Sequence, residues 1–542
     1  MSQRARRLAL PLLCISLLAG CKTMPESITS LPIINKIAGK APDPQAPLPP
    51  PVARTWPDVR KDVVNQRARG FGLVHAPELQ KYLNDLLARI KRAVGVPDWQ
   101  GGVHVLASHA LDAYATGAGN IYVSLQWLID AQSEDELVAL LGHEFGHIYL
   151  HYHQLESAVA DADTVTALLG MGTSLTLKAG EANRWNKVDV LFTSYSLGRG
   201  LATAIYSQSE ETAADHFGLA IAHKLGYSYE HGSKAFLERL AGWEEVQDKR
   251  ERDQQEALLA AIRAQAAEQP SARQTASPAN PLNQGMADAS GAMRGEMQAA
   301  MSQLSFELRT GFDKVAGSHP STLRRIDTLA EVAETYPAVA VHREAVVQPL
   351  ERVRKERRTA LILQNYETAF KVIDAPDAPT AVATARAAAS GPTATHAVPL
   401  YALYVATQEQ TARGRSSPAQ QRQDPGQLLE ANFSSETDRA WITYRERSTR
   451  LKEGRQTAAA QRTVERGLAS FAQAEEVQPY LVRFYGETSG WDDAKKRALA
   501  CAKDFPRAAR RCQRAAISPA EQAQLDKQDK TKRDDFLKQM FK

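Results

Sequence analysis

Apolar residues first settle into a regular pattern at Leu79, Leu83, Leu86, Leu87 and Ile90, the spacing of one buried face of a helix. Two short runs with strand character follow, Val103-His-Val-Leu-Ala and Ile121-Tyr-Val-Ser-Leu. A glycine-rich turn from Thr116 to Asn120 separates them. Ser133-Glu-Asp-Glu then opens a second helix. Ser133 with Glu136 three residues on fits a capping box, and three acids suit the positive end of a helix. This helix is predicted to run from about Glu134 past His147. Another helical stretch surrounds Gln208 to Leu225.

From about Gln247 to Gly291 the chain is rich in Gln, Ala, Ser and Pro, with little apolar periodicity. It reads as a mobile insertion. Met286, Met293, Met297 and Met301 resume a helical spacing that continues into Leu304 and Leu308. They form either a core stripe or an adaptable surface beside a substrate path. Beyond residue 346 the pattern is helical. Asp438 to Lys452, Gln461 to Ala474 and Trp491 to Lys503 are amphipathic and suggest stacked hairpins, without a clean repeat period.

The length of 542 residues calls for more than one core. A net charge of +4 gives no field that demands nucleic acid. No run of about 18 uninterrupted apolar residues appears, so no lasting transmembrane helix is expected. At the N-terminus, Arg4, Arg6 and Arg7 precede an apolar run from Leu8 to Leu18. The run ends in Leu18-Ala19-Gly20-Cys21, which resembles a bacterial lipoprotein signal. That resemblance implies cleavage before Cys21 and lipidation of Cys21. Lys22, where an Asp would suggest inner-membrane retention, leans towards the periplasmic side of the outer membrane. The proline-rich stretch Ala41 to Pro51 should be stiff, and residues 22–55 could span roughly 100 Å at about 3.1 Å per residue. The expected organisation is a signal over residues 1–20, a lipidated tether over 21–55, a folded domain over 56–345 and a helical domain over 346–542. In an oxidising compartment Cys501 and Cys512 can pair, with Pro506 letting the chain turn back; two separate buried thiols are the alternative.

The chemistry is concentrated in Leu141-Gly-His-Glu-Phe-Gly-His-Ile-Tyr-Leu-His-Tyr-His153. Residues four apart on a helix differ by about 40° in direction and about 6 Å in height, so His143 and His147 can aim at one ion. His151 lies about 12 Å from His143 and cannot join them. Neutral imidazoles at this spacing suit Zn²⁺, one per chain. Glu144 selects His143 and His147 as the pair. A carboxylate beside the first ligand can accept a proton from an attacking water and pass it to a leaving amine, whereas the pair His147 and His151 has no acid. The third ligand must come from elsewhere. Ser209-Glu210-Glu211-Thr-Ala-Ala-Asp215 offers Glu210 or Glu211. Glu211 shares a helix face with Asp215, which can orient a ligand imidazole.

His143-Glu-Phe-Gly-His147, Glu211 to Asp215, and Ser318-His319-Pro320 with Arg325, in that order, resemble the HtpX/BepA-type zinc metallopeptidases, relatives of the CAAX prenyl proteases. The resemblance covers roughly residues 56–345. It implies an α+β, mostly helical fold: a zincin-type domain whose small sheet packs on the histidine helix, followed by a helical C-terminal domain. It makes His143, His147 and Glu211 the zinc ligands, Glu144 the general base and Asp215 a supporting acid. It brings His319 close to the metal, and the expectation built on this is a resting fourth ligand that swings away when substrate arrives, a helix-start His-Pro without metal contact being the plainer reading. Arg325 is left to the oxyanion or to the loop. Asp112 to Gly119 becomes the edge that pairs with substrate main chain. The family usually shows an Asn and Pro-Gly-Gly there, where this chain has Asp112 and Gly117-Ala-Gly119. The implied activity is hydrolysis of peptide bonds in envelope proteins, with the C-terminal helices docking substrates or an assembly machine. The competing expectation is a chaperone-like adaptor with a structural or silent metal site, which would have no use for Glu144.

Overall fold

The computed structural model describes residues 48–51, 55–150, 208–247, 249, 253, 322–412, 424–525 and 527. The signal segment, Cys21, His151, His153, the methionine stripe, His319 and nearly all of the 247–291 insertion lie outside the described residues. Helix α1 (Val59–Ala68) leads into α2 (Pro77–Ala93), whose Leu79, Leu83, Leu86, Leu87 and Ile90 are all buried. Strands β1 (Val103–Leu106), β2 (Ala113–Ala115) and β3 (Ile121–Ser124) follow. The described residues are mostly helical, with this one small sheet among them.

The sheet order is β1-β3-β2, with β3 parallel to β1 and antiparallel to β2. Register matters at β2, which ends the sheet. Ser124 N–H donates to Asp112 O (2.8 Å) and Thr116 N–H to Asn120 O (2.9 Å). Alternation along an antiparallel pair therefore turns the N–H and C=O of Ala113 and Ala115 away from β3, towards the open edge. Asp62 of α1 fixes the β2–β3 turn. Its Oδ2 accepts from Thr116 Oγ1, Asn120 Nδ2 and Tyr122 Oη, each at 2.8 Å.

After α3 (Leu125–Asp130), residues 134–150 form α4, the histidine helix. Ser133 Oγ accepts from Glu136 N–H at 3.2 Å, as the capping box requires. The return bond differs: Glu136 Oε2 accepts from Gln132 N–H, one residue before the cap. The three acids are also buried. Each ties α4 to another element. Glu134 accepts from Tyr82 Oη and Arg89 Nη1, both at 2.9 Å. Asp135 accepts from the N–H groups of Ser228 (2.8 Å) and Val346 (2.7 Å). Glu136 pairs with Arg239. The helix start read from the sequence as a charged cap is a hub of tertiary contacts.

Helices α5 (Gln208–Lys224), α6 (residues 235–247) and α7 (Thr322–Ala333) pack around α4, and α8 (Gln348–Lys355) follows. The apolar core does not stop near residue 345. One continuous cluster runs from Phe71 through Leu141 and Phe145 to Leu350, Tyr366, Tyr401 and Ile442. Arg354 of α8 donates to the carbonyls of Leu128 (2.8 Å), Ile129 (3.1 Å) and Ala131 (2.6 Å), closing the end of α3. Further on, helical hairpins carry smaller cores. Trp441, Tyr444, Phe471 and Phe484 form one. The other surrounds Cys501 and Cys512, which are disulfide-bonded. The helix Trp491–Asp504 stops just before Pro506, and the chain returns in Ala509–Ala515, bringing the cysteines together.

Ending the chain after residue 345 would remove the donors to Asp135 Oδ2 and to the carbonyls of Leu128, Ile129 and Ala131, and would uncover the shared core. The expected result is loss of cooperative thermal unfolding with strong binding of a hydrophobic dye, followed by circular dichroism and fluorescence. A truncated chain that melts as sharply as the full one would show that the two parts fold separately.

Candidate metal centre

Two helices build the centre by touching almost backbone to backbone. A Cβ added at Gly218 of α5 would stand 2.9 Å from His143 N. One at Gly142 would stand 3.1 Å from Gly218 Cα, and one at Gly146 3.2 Å from Ala214 Cα. Only hydrogen or a small side chain fits at these crossings. Gly142 and Gly146 on α4 face Ala214 and Gly218 on α5, each pair four residues apart. Around this contact His143 and His147 meet Glu211 and Asp215. Phe145, between the histidines, and Ile148, just after the second, sink into the core and fix the helix rotation.

His143 Nε2, His147 Nε2 and Glu211 converge. The two nitrogens are 3.2 Å apart, and the Glu211 oxygens lie 3.4 Å and 3.3 Å from His143 Nε2 and His147 Nε2 respectively. All three residues are buried and arranged so that they could hold a metal ion. Glu210, the other candidate, is buried but does not belong to this group. Asp215 sits behind His143, with Oδ1 2.8 Å from Nδ1. An Nδ1–H donated to this acid leaves Nε2 with its lone pair directed at the shared centre.

Arg325 of α7 takes a position that neither sequence reading assigned. Its Nε donates to Asp215 Oδ2 (2.8 Å) and its Nη2 to Asp215 Oδ1 (2.6 Å), while Nη1 lies 3.5 Å from Glu211 Oε2. The guanidinium is a two-pronged clamp on the acid that orients His143. His319, six residues before Arg325, lies outside the described residues.

The electrostatics follow from burial and these contacts. For Asp215, burial opposes the charge, but Arg325 outweighs it and draws the carboxyl down to about 2. For His143, burial likewise opposes the charge, while hydrogen bonds to Asp215 and Glu211 outweigh it and lift the ring to about 10. A cation at Nε2 competes with that proton, so metal affinity rises with pH. Burial lowers His147 to about 4 and keeps it neutral. Burial raises Glu144 to about 7, near the pH at which a carboxylate can both take and return a proton. The Ala115 main chain of β2 lies beside the Glu144 carboxylate and favours its charged form. Its Oε2 has no hydrogen-bond partner among the described residues. The outer edge of β2 and the acid are therefore neighbours.

Residues 77–333, just under half of the chain, match the model of Peptidase family M48. The chain is also 25% identical over 173 residues to a Vibrio cholerae protein named "Putative beta-barrel assembly-enhancing protease". The alignment covers 31% of this chain and 34% of that protein. Both agree with the family resemblance read from the motifs, and the matched region contains every residue of the metal group.

Arg325→Met should reduce metal affinity about 10- to 100-fold, the usual cost of losing a partner that orients a ligand. Titration against a competing chelator measures it. Unchanged affinity would mean that Arg325 only fills space beside Asp215.

Proposed function

We propose that this chain, whose residues 77–333 form an M48 metallopeptidase domain, is a zinc-dependent endopeptidase held by a lipid on the periplasmic side of the outer membrane. The observation that carries the enzymatic reading is the spacing of the three donors. Ligands about 2.0–2.1 Å from a tetrahedral zinc stand about 3.3 Å from one another. The contacts of 3.2, 3.3 and 3.4 Å among His143, His147 and Glu211 fit that set. Two imidazoles and one carboxylate are also the donor chemistry of catalytic zinc sites with a position left for substrate.

Bound zinc supplies Lewis acidity towards the scissile carbonyl and the attacking water. Everything else comes from the chain. An extended substrate adds to β2, its main chain pairing with the outward groups of Ala113 and Ala115. That places the scissile bond beside Glu144, which Ala115 already touches. Glu144 takes the proton from the attacking water and passes it to the leaving amine. Asp215, clamped by Arg325, holds the His143 ring in place throughout. A purely structural metal site has no use for a buried carboxylate at this position, which weighs against the adaptor reading.

The anchor and the setting rest on the Leu18-Ala19-Gly20-Cys21 signal and the stiff tether that follows it. No helix among the described residues is long and apolar enough to cross a membrane. The name of the Vibrio protein supports envelope proteins as substrates, with the helical C-terminal part recruiting them or an assembly machine.

Two results test this reading. Glu144→Gln should keep its zinc and fold but lose casein digestion by at least about a hundredfold, and a chelator should abolish wild-type digestion. A variant that cleaves at the wild-type rate removes Glu144 as the base. Separately, Cys21→Ser should move the protein from the membrane fraction to the soluble fraction, read by fractionation and immunoblot. Retention after a salt wash would point to another anchor.

A further inference from the structure

Lys91 is a buried lysine held by main-chain carbonyls. It lies in the last turn of α2 and is 6% exposed. Its Nζ donates to three successive carbonyls: Trp99 (2.8 Å), Gln100 (3.2 Å) and Gly101 (2.8 Å). No carboxylate pairs with it among the described residues, and burial alone pushes its ammonium down to about 8. Desolvating an ammonium is costly unless all its protons are used. Three protons on three carbonyls satisfy it only while the loop keeps one shape.

That loop touches both the histidine helix and the β2–β3 turn. On one side the Trp99 indole packs on Phe145 and Tyr149 of the histidine helix, with ring centroids 6.0 and 5.5 Å apart. On the other side Gln100 Nε2 donates to Ala118 O (3.0 Å) and to Pro57 O (2.8 Å). Gly102 O accepts from Ile121 N–H at 2.9 Å. Gly101 and Gly119 both have φ of +87°, and a Cβ on Gly119 would stand 2.8 Å from Gln100 O. The β2–β3 turn is thus pressed directly against the segment that Lys91 holds.

We propose that Lys91 is a positioning residue for substrate: its ammonium fixes Trp99–Gly101 as the spacer between the histidine helix and the open edge of β2. The proposal rests on the peptidase reading, since it assigns β2 as the substrate edge. Lys91 has no contact with the metal ligands, so losing it should disturb peptide binding and leave the metal in place.

The test uses full-length protein and a fluorescein-labelled casein peptide. KM and kcat are measured for wild type, Lys91→Met and Gln100→Leu, and bound zinc is measured in each. Peptide affinity is read by anisotropy in the same variants carrying Glu144→Gln. The expected result is a KM and Kd about tenfold higher with kcat within about twofold and zinc unchanged, because misaligned edge groups weaken binding. Should Lys91→Met fail to fold, Gln100→Leu alone carries the test, since it breaks the same spacer from the turn side. Unchanged KM and Kd in the folded variants would overturn the proposal, as would zinc loss in step with activity. Absence of cleavage by wild type counts instead against the peptidase reading, and the anisotropy still decides whether Lys91 governs peptide binding.

Discussion

The near-contact of α4 and α5 is the constraint on which the centre depends. Helix axes approach this closely only where the facing side chains are hydrogen or methyl. Gly142, Gly146, Ala214 and Gly218 provide that surface. Larger residues would hold the helices apart and carry Glu211 away from the two imidazoles. The donors would then no longer stand 3.2–3.4 Å from one another. The order of causes runs from small residues to helix approach, and from helix approach to a site that can take a metal.

Charge is arranged in layers behind that contact. Arg325 neutralises Asp215, Asp215 orients His143, and His143 faces the shared centre. A carboxylate buried at this depth would otherwise resist ionisation, and an ionised one without a partner would be costly to keep. Glu144 is the exception that shows the logic. It has no cation clamp, and burial leaves it titrating near neutrality, where a proton carrier is useful.

The sheet and the C-terminal helices hold this arrangement from outside. Asp62 fixes the turn that presents β2, and Lys91 fixes the loop on which that turn rests. At the other end, Asp135 and Arg354 bind the start of α4 and the end of α3 to residues beyond 345. The continuous core from Phe71 to Ile442 makes the peptidase region and the first C-terminal helices one packed body.

Much of this was legible in the sequence wherever local rules apply. Helical period marked the buried face of α2. The spacing of His143 and His147 with Glu144 between them pointed to a metal and a base, because a helix converts a four-residue interval into one direction in space. The same rule paired Glu211 with Asp215, and a proline between two cysteines brought them within bonding reach. What the sequence left open depends on partners far away in the chain. Ser133-Glu-Asp-Glu read as a cap, yet its acids bind Tyr82, Arg89, Ser228, Arg239 and Val346. Arg325 had two possible tasks and took a third, because only the folded chain sets α7 against Asp215. Lys91 gave no signal, since a lone lysine at a helix end ordinarily faces water. Local spacing determined which residues could do chemistry. Tertiary packing decided which of them meet, because burial and contact are set by elements that adjoin only after folding.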